Sequence, residues 1–144
     1  MRKLVGLAVL LVLSIVVQSA LPATGQARQS LVGKWKVVKS QGEEGKDPGT
    51  MEFFKDGRVV ILQKNSPKKN GSYSTDDATT PATIMVKILT DDSESHQKVI
   101  VDCPGIYKFD GKRLIMKIVN APRTVAPKDF SLDTDGYSNL ELVR

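Results

Sequence analysis

The chain of 144 residues contains one cysteine, one histidine and one tryptophan, and only 6% of it is aromatic. With Cys103 alone, no disulfide can form within the chain, so stability has to come from a packed core. A lone small thiol of this kind fits a packed strand edge better than a reactive site. With His96 alone, a multi-histidine metal centre is excluded. Asp91, Asp92 and Glu94 beside it could add a weak cation site, but a charged loop tip is the plainer account. The reading therefore carries no metal and no cofactor.

Signals of catalysis are equally sparse. A Ser-His-Asp hydrolase would need His96 as its base, yet no Gly-x-Ser-x-Gly elbow accompanies it. Ser93 and Ser95 lie too close to His96 along the chain to be evidence of a triad. Cys103 is followed by Pro104 and Gly105, which read as a turn rather than as an activating helix start. Asp133-Thr134-Asp135-Gly136 has the middle of a calcium loop, but the twelfth position is Leu142 where a bidentate glutamate is needed. A non-enzyme is expected, and a hydrolase using His96 ranks third among the readings.

Long basic runs are also missing. Lys64, Lys68 and Lys69 come nearest to one, and the other lysines are spread over strands and loops as a solvated surface. Nucleic acid is not an expected partner.

What is present begins with an address. Met1-Arg2-Lys3 leads into an apolar run from Leu4 to Val17, followed by small residues up to Ala27. A basic start, a short apolar stretch and a small-residue exit make a secretory signal peptide over residues 1–27. The apolar run is shorter than the roughly 20 residues of a spanning helix, which favours cleavage over an anchor. Residues 28–144 are then one exported domain with no membrane span, expected as a monomer in the periplasm, the envelope or the medium. Arg2 and Lys3 leave with the leader, so the formal +5 of the whole chain overstates the charge of the mature protein.

Past the leader, no segment repeats apolar residues at helical spacing over three turns. Short alternating runs appear instead: 31–40 around Trp35, Thr50–Lys55, Arg58–Gln63, Ser72–Ser74, Ala82–Leu89, Lys98–Asp102, Ile106–Phe109, Arg113–Val119, a weak one at Phe130–Leu132, and Tyr137–Val143. Asp56-Gly57, Asp110-Gly111 and Asp135-Gly136 are hairpin signals between them. Asn70-Gly71 and Cys103-Pro104-Gly105 read as further turns, 41–49 as a polar loop, and 120–128 as loop or edge. Asn70-Gly71-Ser72 also matches a glycosylation sequon, here taken as part of the turn. With the weak run set aside, these segments joined by tight turns predict an all-β, up-and-down antiparallel barrel of about eight to nine strands, whose closure removes exposed edges.

Leu31, Gly33, Trp35 and Val37-Val38 open the chain as Gly-x-Trp strands open lipocalins. Glu43-Glu44-Gly45, Met51 to Gly57, Gly71 to Tyr73, Pro81 to Ile84, Gly105 to Leu114, Pro127 to Phe130 and Leu140 to Arg144 follow in order. Together they resemble small exported lipocalin-like (calycin-type) domains of planctomycete-type bacteria, a family without an agreed function. The match runs from Leu31 to Arg144 and departs most around Cys103-Pro104 and Asn120-Ala121. The resemblance implies a lipocalin-like barrel in which Gly33 and Trp35 are structural, and in which Arg144 stacks on the Trp35 ring near one end.

A barrel of this size either fills its interior with side chains or holds one small ligand. Phe53, Ile61, Tyr73, Val86, Tyr107, Phe109 and Met116 are the candidates for facing a cavity, with Val59, Ile84, Ile88, Leu114 and Leu140 on the same inner face. The leading reading is a non-enzymatic exported domain that binds a small hydrophobic molecule or an envelope component. A solid-core structural or protein-interaction module is the alternative.

Overall fold

The computed structural model describes residues 29–92, 94–120, 124–132 and 135–144. The leader expected at 1–27, and with it Ser93 and Asp133, lies outside the described residues. Nine strands follow in order: β1 Gly33–Ser40, β2 Glu43–Glu44, β3 Gly49–Phe53, β4 Arg58–Gln63, β5 Lys69–Asp76, β6 Ala82–Asp91, β7 Lys98–Asp110, β8 Arg113–Val119 and β9 Tyr137–Val143. No helix among the described residues is long and apolar enough to cross a membrane.

Every pairing is antiparallel between neighbours in the order β1-β3-β4-β5-β6-β7-β8-β9, and β1 closes the ring on β9. The fold is a closed eight-stranded up-and-down barrel, with β2 as a short extra strand beside the end of β1. Closure needs an irregularity in β1. Val37 pairs with Leu142, but the register shifts before Lys39 pairs with Glu141. One extra residue on a strand reverses which side faces in beyond it. Lys39 thereby reaches Glu141 outside the barrel at 3.4 Å, and Ser40 turns inward and is buried.

The Asp-Gly signals sit at turns, with Gly57, Gly111 and Gly136 at φ +87°, +57° and +75°. The other turn assignments need correction. Cys103-Pro104-Gly105 lies inside β7, which runs unbroken for 13 residues. Its ladder with β8 begins at Gly105↔Ile118, so Pro104 falls beyond the end of that pairing, as suits a residue without an N–H. Gly105 itself lets two backbones meet, since a Cβ there would come within 2.6 Å of the Lys117 carbonyl oxygen. Asn70-Gly71 likewise belongs to β5 and pairs with Leu89 and Ile88 of β6. The chain reverses earlier, in the loop 64–68. The polar loop 41–49 contains the two residues of β2.

Residues 130–132 form no strand. The segment 124–132 instead lies over the outside of β8 and β9 as a strap. Beneath it, outward-facing Lys117 is only 3% exposed. Its ammonium donates to the Ser131 carbonyl at 2.8 Å and to Ser131 Oγ at 3.2 Å, and it stands 4.8 Å from the Tyr137 ring centroid. The Tyr137 hydroxyl donates to the Val125 carbonyl, Lys108 stands over the Phe130 ring, and Pro127 is buried. Alternation along the chain cannot show a strap, because its contacts are made by side chains that would otherwise face water.

Inside the barrel the two ends differ. At the end bearing β1's start and Arg144, Trp35 and Phe109 lie 6.1 Å apart, Tyr107 and Phe109 6.0 Å, and Phe53 and Tyr73 5.0 Å, the last two pairs edge to face. Phe53, Val59, Leu114, Met116 and Leu142 are almost fully buried among them. Short turns at 54–57 and 111–112 and the loop 77–81 close this end. The longer connections after β1, β4, β6 and β8 leave from the other.

A candidate ligand cavity at the open end

Opposite the aromatic plug the interior opens into a cavity of ≈ 290 Å³. Its wall is built by strand alternation: Val37, Met51, Ile61, Val86, Ile88, Cys103, Ile118 and Leu140 face it from seven strands. Ser40, Gln41, Asp47, Gln63, Lys69, Asn120 and Ser138 line its mouth. An apolar concavity with a few polar groups at its opening is the usual form of a small-molecule site, and this volume lies at the small end of that class.

Of the seven residues singled out from the sequence as cavity-facing, Ile61 and Val86 line this space. Phe53, Tyr73, Tyr107, Phe109 and Met116 also point inward, but they pack against one another in the closed half. Alternation fixes the face a residue presents, whereas its height along the barrel depends on register and tilt. Bulky rings fill the closed end, and aliphatic residues surround the space at the other.

At the closed end, the Arg144 guanidinium lies 4.7 Å from the Trp35 ring centroid. The indole Nε1–H donates to the Leu31 carbonyl at 2.7 Å, and Trp35 is 2% exposed. Gly33 has φ +132°, a conformation that disfavours any side chain, and it lies beneath the same guanidinium.

Lys69 is the residue of the mouth that sequence reading assigned to the surface. The first residue of β5 stands opposite Ile61, and directly opposed residues share a face. Its side chain therefore starts on the inner side and is half-buried. A polar residue at an inner position next to a polar loop leaves no trace in a hydrophobic pattern. Among the described residues, its ammonium has no ion pair and no hydrogen bond to a side chain. Asp47, the carboxylate at the mouth, is exposed on the rim and accepts a long bond from Ser40 Oγ at 3.4 Å.

Two titratable groups face the interior with altered acidity. Burial pushes the Cys103 thiol up, the Asp102 carboxylate adds to this, and Lys69 partly offsets it. Burial also raises the Tyr107 hydroxyl to about 12, helped by the Asp77 carboxylate to which it donates. His96 sits at the exposed β6–β7 turn, where Asp92 accepts bonds from Ser95 that stabilise its carboxylate and hold its pKa below the usual carboxylate range. Among the described residues no group of three or more His, Cys, Asp or Glu is placed to hold a metal ion.

The molecule is thus a closed antiparallel barrel with one end packed by aromatic rings, where a concavity of ≈ 390 Å³ runs along Trp35, Phe109, Val143 and Arg144, and one open end bearing the cavity of ≈ 290 Å³. Comparison with family models, curated proteins and solved structures found no match.

Proposed function

We propose that this protein is an exported, monomeric, lipocalin-like domain that binds one small hydrophobic molecule in the open half of its barrel, without catalysing a reaction. The observation that carries this is the ≈ 290 Å³ cavity, walled by aliphatic side chains and rimmed by polar ones. An apolar guest entering it removes its own surface and that of the aliphatic wall from water. Export rests on the basic, apolar and small-residue succession of 1–27, and the family on the ordered pieces from Leu31 to Arg144. Binding rather than catalysis is supported by the acidity of Cys103. A nucleophilic thiol needs a lowered pKa, and burial here raises it.

Native mass spectrometry of the mature protein, purified gently from its own envelope, tests the proposal. A reproducible extra mass that organic solvent removes is the expected result. A clean apo mass, unchanged after incubation with medium-chain lipids, would overturn it. The second reading, a solid-core envelope module that contacts a partner through its loops, draws on the plugged half, where five of the seven expected cavity residues are packed together.

A further inference from the structure

The geometry points to a guest of defined polarity: a slender apolar molecule carrying one negative head group, a medium-chain carboxylate in size, with its chain in the barrel and its head on Lys69. This rests on the carrier reading above and narrows its ligand class. The cavity holds ≈ 290 Å³, about ten times the roughly 30 Å³ share of one liquid water, so a guest of about ten heavy atoms fills it. Longer chains would run into the packed rings of Trp35, Tyr107 and Phe109 at the far end.

The sign of the head group follows from the charges around the mouth. Lys69 is anchored by the β4–β5 pairing with its side chain starting on the inner face, opposite Ile61. It is half-buried, and among the described residues no carboxylate neutralises it. Its charge is felt at the Cys103 thiol on the cavity wall, which places the ammonium's field inside the space. Of the carboxylates nearby, Asp102 is paired with Lys87 at 3.1 Å on the outside, while Asp47 lines the same mouth, where it is exposed to water at the rim and bonded to Ser40 rather than to Lys69. A half-buried ammonium without a partner gains most from an anion that also replaces its water, in a charge-assisted hydrogen bond. At the same mouth the amide N–H groups of Gln63 and Asn120 supply neutral donors for the remaining head-group oxygens or bridging waters, the Ser40 and Ser138 hydroxyls being given to Asp47 and Asn120.

Titration calorimetry at pH 7 with octanoate, octan-1-ol and octylamine tests this on the wild-type domain and on Lys69→Gln and Lys69→Arg. Octanoate should bind about 10- to 100-fold more tightly than octan-1-ol, the worth of a hydrogen bond to a charged group. Lys69→Gln should abolish that preference while leaving octan-1-ol affinity in place, and Lys69→Arg should retain it. Equal binding of acid and alcohol, a preference for octylamine, or octanoate affinity indifferent to Lys69→Gln overturns the head-group assignment and leaves the carrier standing. Failure of all three probes to bind the wild type overturns both. If Lys69→Gln does not fold, as judged by circular dichroism, the ranking of the three probes on the wild type decides the matter alone.

Discussion

Arg144 caps Trp35: the last residue of the chain lays its guanidinium 4.7 Å from the indole centroid and donates from Nη2 to the Ser30 and Val32 carbonyls at 2.6 and 3.2 Å. The approach to β1 and the residue after β9 are therefore fastened to each other over the plugged end of the barrel, with Gly33 beneath the guanidinium at φ +132°.

Because Trp35 anchors this arrangement, Trp35→Ala should cost about 3–5 kcal/mol, the usual loss for truncating a large buried ring. That is a large part of the 5–15 kcal/mol available to a typical domain. Arg144→Ala removes a cation–π contact and should cost about 1 kcal/mol. Gly33→Ala forces a side chain into an unfavourable φ and should cost more than about 1 kcal/mol. Urea denaturation followed by circular dichroism measures all three, and a Trp35→Ala midpoint equal to wild type would refute the anchoring role.

Burial of the Tyr107 hydroxyl, aided by its bond to Asp77, gives stability a pH dependence on the alkaline side. Tyr107 ionises at about 12 in the folded barrel and at about 10 in the unfolded chain. Between those values the unfolded state loses its proton first, so the native state is progressively disfavoured. The contribution is fully present below pH 10 and is lost as pH rises towards 12. Tyr107→Phe should lack this component, so the wild-type minus variant difference in unfolding free energy should shrink over that interval. A constant difference would show that the tyrosine does not sense its environment.

The strands Arg58–Gln63, Arg113–Val119 and Tyr137–Val143 were legible to the residue, because each is a short run rich in apolar and β-branched or aromatic residues that begins beside an Asp-Gly turn. Pro104-Gly105 and Asn70-Gly71 misled for a common reason. Turn-forming dipeptides were read by local preference, while the structure uses Gly105 for close backbone approach and leaves Pro104 past the end of a ladder. The inner face was legible from alternation, and the position of the cavity along it was not. Lys69 and Lys117 were hidden because the pattern treats every lysine as exposed, yet one lines the mouth and the other lies beneath the strap.

Added volume should be tolerated differently at the two ends. Ile61→Phe places its ring towards the ≈ 290 Å³ space and should change stability by less than about 1 kcal/mol while weakening the binding of any guest. Val59→Phe, two residues away and 1% exposed in the plugged half, should cost about 1–3 kcal/mol through overpacking. Thermal melts of both variants, beside guest titration of Ile61→Phe, separate these outcomes. Equal destabilisation would mean that no usable space exists beside Ile61.

Lys117 should hold the strap in place. Lys117→Met keeps the aliphatic stem beneath 124–132 but removes the donor to the Ser131 carbonyl and hydroxyl. The expected loss is about 1–3 kcal/mol, since a partly buried carbonyl is left without its charged partner. Asp129 is 73% exposed and 4.0 Å from the ammonium, so Asp129→Asn should cost under about 1 kcal/mol, as for other solvent-screened pairs. Trypsin cleavage after Lys128 reports the strap directly. It should be slow in the wild type and in Asp129→Asn and fast in Lys117→Met, because release of the segment gives the protease a local opening that need not unfold the barrel. Cleavage at the same rate in all three proteins would mean that the strap is held by Pro127 and Phe130, with the buried ammonium contributing nothing to its retention.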